Sequence, residues 1–564
     1  LRHFLRFALC VACALLVATL SSADAVGAPD PAMQIRLLRQ KIQHIVVIYL
    51  ENWSFDGLYA TFPGANGSRS APRQFQYGIV DPQTRTCEAP LRYVVMTQIG
   101  QQPLLGQANP SGPWPCGWVD RNGVVSAAAA SGTNPDPAFS AVFANGGGLP
   151  VAPYDLAPYD PADGLTGDLW HIFWHEQIQI DNGVLEPANG RMDKFVAYSG
   201  NPGLVLSYYD ATNLPEGRIA QRFTMADNFF HSAYGGSFLN HQWLICACTP
   251  RWNQPLPKSN TTTFESYWNP ATKTLHDGNL TLMPKPQTSP GPIQGGTYYV
   301  VNTTFTRNIP HPLAFNASPA NRDQLLAPIP PSQKTIGDLL TDHKPPISWK
   351  WYSGGWDLAI QEVPNAATKC QTPPPVTNDP PTTGYCFQYH HQPFAYYQRW
   401  GSSSPQNFKA HLQDEQRFFR DLRSGSLPSV AFVKPVGVEN DHPNYSALIA
   451  GQNHVKELVD AVCRSPYWNS TAIIITYDEN GGRWDHVPPP RIDEWGPGTR
   501  VPAIIVSPYA KPHYVDHTRY ETVSILSFIE RRFGLPALGT RDARANPLTN
   551  AFDFTQRPLS CTPS

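Results

Sequence analysis

The chain has 564 residues and a formal net charge of −2, with 15% of residues charged. That balance gives no cationic footprint for nucleic acid or an anionic membrane as partner. Proline accounts for 58 residues, about twice the usual share, so many ordered loops on a rigid core are expected, and the length is ample for a large core.

At the start, Arg2 and Arg6 precede an apolar stretch over 7–20, and small residues follow to Ala23-Asp24-Ala25. A basic start, a short apolar core and an A-x-A site predict a secretory signal peptide over 1–25. The stretch is short for a membrane span. The remaining chain, 26–564, is therefore expected to be secreted or periplasmic, with no transmembrane segment. Loss of Cys10 and Cys13 leaves eight of the ten cysteines. An even number in an exported protein implies disulfides, with Cys370–Cys386 and Cys87–Cys116 as the expected local pairs. Among those eight no C-x-x-C spacing occurs, which argues against a cysteine zinc site.

Residues 42–50 form an apolar run typical of a strand buried on both faces. Residues 74–161, rich in Gly, Pro, Ala and Ser, read as an insertion. A helix is expected to begin at Ser237, after Gly235-Gly236. Residues 249–331, rich in Thr, Asn and Pro, read as a second insertion able to carry β-hairpins. Helix and strand then alternate: helix 333–343 and strand 346–352, helix 411–423 and strand 429–434, helix 452–464 and strand 471–477. Strand 501–506 and helix 521–533 complete the series. Such alternation predicts an α/β fold, a mostly parallel central sheet flanked by helices, with the insertions around 74–161 and 249–331 forming a loop-rich cap.

In open sheets of this class, sites form beyond the carboxyl ends of the strands. Glu51-Asn52 follows the first strand, Asp478-Glu479-Asn480 follows strand 471–477, and Glu439-Asn440-Asp441-His442 follows strand 429–434. Oxygen-rich clusters suit a hard or borderline divalent cation, although any single acid after a strand also serves as a helix cap. Ser237 at a helix start favours a nearby phosphate. On that segment alone, a plain N-cap explains it better.

Three longer motifs narrow the reading: Glu51-Asn52-x-Ser54-Phe55-Asp56, the run from Tyr477-Asp478-Glu479-Asn480-Gly481-Gly482 to Asp485-His486-Val487-Pro488-Pro489-Pro490, and Gly496-Pro497-Gly498-Thr499-Arg500-Val501-Pro502. In these, from about 42 to 533, the chain resembles the bacterial phosphoesterase family of acid phosphatases and phospholipases C, a branch of the alkaline phosphatase superfamily. The segments Gly235-Gly236-Ser237-Phe238-Leu239-Asn240-His241 and Phe387-Gln388-Tyr389-His390-His391-Gln392-Pro393-Phe394 resemble the acid phosphatase subgroup.

The resemblance implies an alkaline phosphatase-like fold and one divalent metal ion held by Glu51, Asn52, Ser237, Asp478 and Glu479. It implies Ser237 as nucleophile, forming a phosphoseryl intermediate, and His442 as the group that protonates the leaving oxygen or activates water. His171, His390 and His391 would donate to the phosphoryl oxygens of a small phosphoester, best as imidazolium at acid pH. His175 and His241 are read as structural, and His486 as supporting a Pro turn. The expected function is a secreted, metal-dependent acid phosphatase. A phospholipase C acting on phosphodiester head groups is the first alternative. A non-catalytic secreted binding protein on the same fold is the second, against which the intact acidic set argues. The sequons Asn52-Trp53-Ser54 and Asn444-Tyr445-Ser446 fall inside this site. A glycan there would block it, so an origin without N-glycosylation, such as a bacterial periplasm, is expected.

Overall fold

The computed structural model describes residues 30–70, 204–252, 298–361 and 387–561, most of 152–196, and short pieces between. The expected signal peptide, the Cys87–Cys116 and Cys370–Cys386 pairs and most of the two insertions lie outside the described residues.

The central sheet has eight strands: β1 (His44–Leu50), β2 (Thr224–Ala226), β3 (Trp349–Ser353), β4 (Leu412–Asp414), β5 (Val430–Lys434), β6 (Thr471–Tyr477), β7 (Ala503–Val506) and β8 (Tyr514–Asp516). Their spatial order is β4-β3-β5-β1-β6-β7-β2-β8. Every neighbouring pair is parallel except β7 with β6 and with β2. The three central strands are Val/Ile-rich without polar alternation, and all residues of β5 and β6 are buried. That pattern belongs to strands covered on both faces.

The flanking helices include α1 (Pro31–Lys41), α2 (Pro215–Arg222), α3 (Ser237–Cys246), α4 (Ile336–Asp342), α5 (Glu415–Ser424), α6 (Leu448–Cys463) and α7 (Thr522–Phe533). Helix α4 starts where Thr335 and Asp338 form a reciprocal capping box, which satisfies two otherwise orphaned N–H groups. The α/β architecture is as expected, with local differences. The span expected as helix from 411 opens as strand β4, and α5 begins only after Asp414, whose side chain caps Gln416 N. Strands β2 and β8 and helices α1 and α2 were not foreseen. Within 249–331, Leu282–Pro284, Tyr298–Val300 and Arg251–Trp252 pair antiparallel, in keeping with the hairpin reading. The disulfides among the described residues are Cys246–Cys248 and Cys463–Cys561. No described helix is long and apolar enough to cross a membrane.

Candidate active site

Parallel register sets Leu50 opposite Tyr477 and Ile48 opposite Val433. The residues after β1, β5 and β6 therefore emerge at one edge of the sheet. Ser237 reaches that edge from another direction, as the first residue of α3. The preceding turn needs glycine. Gly235 has φ +84°, and a Cβ on it would lie 2.2 Å from Phe173 N; one on Gly236 would lie 2.8 Å from the His171 carbonyl oxygen. With both side chains absent, the Ser237 hydroxyl donates to Glu51 Oε2 at 2.9 Å and lies 3.5 Å from Glu479 Oε1.

Glu51, Asn52, Asp478 and Glu479 are fully buried around it. Asn52 Nδ2 donates to Glu479 Oε1 at 3.0 Å and lies 3.3 Å from His442 Nε2 and 3.4 Å from His171 Nε2. Asp478 Oδ1 accepts from Glu479 N at 2.8 Å. Glu479 Oε2 accepts from Gly481 N at 2.5 Å. Lys434 Nζ, at the end of β5, pairs with Glu51 Oε1. Burial alone would raise the Glu51 pKa, but the Lys434 ammonium paired with it outweighs burial and holds the carboxyl at about 2. Burial drives the Asp478 and Glu479 pKa values upward, and the neighbouring Glu51 carboxylate adds to both shifts. Three carboxyl groups thus share one ammonium.

The donor set fits a bound cation. Asn52 Oδ1, Asp478 Oδ2, His241 Nε2 and His391 Nε2 are buried without hydrogen-bond partners. Unpaired buried polar atoms are costly. His241 Nδ1 lies 2.8 Å from the Ser237 carbonyl and so carries the proton, which leaves the Nε2 lone pair facing Glu51 Oε1 at 3.8 Å. A lone pair opposite a carboxylate is repulsive unless a cation stands between them. The ligand atoms of Glu51, Asp478 and Glu479, and those of Glu51, His241 and His391, each fall within 4.8 Å of one another.

A cavity of about 390 Å³ opens over Ser237, with His171, His390, His442, Asp168 and Asn444 in its wall. The His442 ring stacks on Tyr445, with centroids 4.2 Å apart. Its Nδ1 is 2.6 Å from the Pro443 carbonyl, and His171 Nδ1 is 2.5 Å from the Leu169 carbonyl. Each ring thus donates through Nδ1 and presents Nε2 to the site. Burial lowers the His390 imidazole to about 4. The imidazolium expected at acid pH is therefore reached at His390 only as pH falls to about 4.

The five residues singled out for the metal thus come together, and His171, His390 and His442 line the cavity. His391 stands apart from them, in the layer beneath, with Nε2 3.2 Å from Glu51 Oε1. Sequence reasoning missed Lys434 and set His241 aside. Lys434 was visible as the one charge closing an apolar strand, and His241 as the residue one helical turn after Ser237. His486 takes a supporting position: its Nδ1 lies 2.6 Å from Asp56 Oδ2, within a buried cluster that includes Asp485 and Arg500. Trp53 supports the same region. It stacks under Arg483, 4.0 Å from the ring centroid, and donates to the Asp441 carbonyl at 2.9 Å, which steadies the loop carrying His442.

The family model described as the phosphoesterase family matches residues 42–536. The chain belongs to the phosphoesterase family. Relatives of this phosphoesterase include phospholipase C A of Mycobacterium tuberculosis, 29% identical over 26% of this chain and 34% of that protein. A non-hemolytic phospholipase C of Pseudomonas aeruginosa is 29% identical over 24% and 25%. The non-specific phospholipase C6 of Arabidopsis thaliana is 32% identical over 28% and 36%. The matched segments thus span a quarter to about a third of these relatives' own lengths. A solved protein in the alkaline phosphatase superfamily from Vibrio parahaemolyticus overlaps 58% of this chain and 63% of its own, at 9% identity and a TM-score of 0.27.

Proposed function

We propose that this phosphoesterase is a metal-dependent acid phosphatase, exported to a bacterial periplasm or beyond, that hydrolyses phosphomonoesters through a phosphoserine intermediate. The observation that carries the proposal is the Ser237 hydroxyl. It begins a helix, donates to a buried carboxylate and lies under a cavity walled by three histidines. Glu51, Asn52, Asp478 and Glu479, with the Ser237 oxygen, are the residues that would hold one divalent cation. Such an ion supplies positive charge that favours the Ser237 alkoxide and polarises a phosphoryl oxygen.

In this reading Ser237 Oγ attacks phosphorus in line. The Oγ–P bond forms as the bond to the leaving oxygen breaks. His442 gives a proton to that oxygen through Nε2, then takes one from the water that attacks phosphorus and frees Ser237. His171 and His390 donate to the non-bridging oxygens, and the N-terminus of α3 adds the favourable end of its dipole. His391 orients Glu51 from below. This differs from the phosphoryl contact implied by the family resemblance.

A second reading, phospholipase C, is favoured by the names of the relatives. Against it stands the modest cavity that the described residues form, whose wall is mostly polar. The deciding experiment compares p-nitrophenyl phosphate with p-nitrophenyl phosphorylcholine, for wild type and Ser237→Ala, from acid to neutral pH. The proposal expects faster turnover of the monoester and a loss on the order of 10³-fold or more in the variant. A faster diester reaction would replace phosphatase with phospholipase C. Equal rates in wild type and variant would reduce Ser237 to a helix cap, and no hydrolysis at all would favour a binding protein.

A further inference from the structure

The motif around Gly496-Pro497 and the proline run before it take no part in this chemistry. They frame a second cavity of about 420 Å³, which shares no lining residue with the cavity over Ser237. Four arginines, Arg491, Arg519, Arg541 and Arg544, face two carboxylates, Asp493 and Glu521. Arg541 spans both acids: Nη2 pairs with Glu521, and Nη1 lies 3.4 Å from Asp493. Its side chain is only 6% exposed, and its Nε is buried with no hydrogen-bond partner. Arg519 and Arg544 are exposed and have no carboxylate in ion-pair range among the described residues. Ser524 also lines the cavity, in the first turn of α7; its oxygen accepts from Glu521 N, which leaves its hydroxyl proton free to donate.

We propose that this cavity is a second anion site, which takes a phosphate group held by Arg519, Arg541 and Arg544. Arg519, Arg541 and Arg544 outnumber the two carboxylates of the lining, which leaves the cavity with a net positive charge suited to an anion. Planar guanidinium forks match phosphate oxygens in pairs. The site also touches the loop that leads to the nucleophile. Glu521 Oε2, which Arg541 holds, accepts from Ser232 Oγ at 2.9 Å, and Ser232 lies in the turn before Gly235-Gly236-Ser237. The inference does not depend on the chemistry assigned to Ser237. The same phosphate chemistry is offered by free orthophosphate and by the headgroup of a phosphatidate surface.

The test uses the intact chain as wild type, as the double variant Arg519→Ser/Arg544→Ser, and as Arg420→Ser/Arg423→Ser, a pair of exposed arginines on α5 that controls for net charge. Equilibrium dialysis with labelled orthophosphate is paired with sedimentation on phosphatidylcholine vesicles with and without phosphatidate. The double variant is expected to lose one bound orthophosphate per chain while its melting temperature and p-nitrophenyl phosphate turnover stay unchanged. Loss of phosphatidate-dependent sedimentation, with orthophosphate binding unaltered, supports the same site and identifies the lipid as its source. No change in either measurement, or an equal loss in Arg420→Ser/Arg423→Ser, overturns the proposal.

Discussion

His241 and His391 stack face to face, ring centroids 4.9 Å apart and planes 5° from parallel. Both turn Nε2 toward Glu51 Oε1, at 3.8 and 3.2 Å. Burial, reinforced by Lys434, lowers both imidazoles well below their ordinary pKa. The rings are therefore neutral, and His241, whose Nδ1 proton faces the Ser237 carbonyl, presents its lone pair to the carboxylate. The acidic centre thus has a histidine flank as well as the edge formed by Asp478 and Glu479.

Cation binding is expected to be measurable as stability, not only as turnover. A cation present at about 100 times its Kd stabilises the folded state by about 2.7 kcal/mol. Treatment with a chelator should lower the melting temperature and abolish p-nitrophenyl phosphate hydrolysis, and adding back a divalent ion should restore both. A melting temperature unmoved by chelation would mean that Lys434 alone neutralises the centre.

Lys434→Met tests the opposite side of the same balance. It removes the ammonium from Glu51 and leaves a buried carboxylate short of a partner, which costs about 3–5 kcal/mol in comparable buried pairs. The double variant Lys434→Met/Glu51→Gln should regain much of that stability while remaining inactive. Urea denaturation of the four proteins of the cycle gives the coupling directly.

Gly235→Ala should be far worse than Gly236→Ala. At Gly235 the added methyl meets the Phe173 backbone at 2.2 Å, and the left-handed φ of +84° adds its own penalty; at Gly236 the nearest atom is at 2.8 Å with an extended backbone. Gly235→Ala is expected to cost about 3 kcal/mol or more, and Gly236→Ala about 1–2 kcal/mol. Both should lower kcat, since the turn sets the Ser237 hydroxyl. Equal melting temperatures for the two variants would contradict this geometry.

The parts of the site that the sequence made legible share one property: local signal and tertiary role coincide. An apolar run followed at once by Glu51-Asn52 or Asp478-Glu479 is both a buried strand and a strand end, and Gly235-Gly236 before Ser237 marks the turn. Strands β2, β4 and β8 have three residues each and carry no periodicity; pairing at the sheet makes them strands. Lys434 and His241 look like an ordinary strand end and an ordinary helix residue. Their roles come from what β1 brings next to them. His390 and His391 are adjacent in sequence, yet one lines the cavity and the other lies against Glu51, because a short helical turn over Tyr389–His391 points them apart.

Away from the site, His454 on α6 gives stability a defined pH dependence. Its Nε2 lies 2.8 Å from Glu415 Oε1, and its Nδ1 lies 3.2 Å from Glu439 and 3.4 Å from Glu457. Burial works against the charge, but Glu415, then Glu439 and Glu457, outweigh it and raise the imidazole to about 9. A raised pKa means that the folded state holds the proton more tightly than the unfolded chain. The contribution is therefore complete below the unfolded value near 6.5 and is lost as pH rises through about 9. The full shift corresponds to about 3 kcal/mol. Glu439 and Glu457 are 42% and 66% exposed, so solvent screening brings the expected effect nearer to about 2 kcal/mol. Glu530, pushed to about 9 chiefly by burial, loses stability in the same direction, so some slope will remain without the histidine. Urea midpoints should fall between pH 6.5 and 9.5 in wild type and fall distinctly less in His454→Asn. Parallel curves for the two proteins would show that His454 is not held charged by these carboxylates.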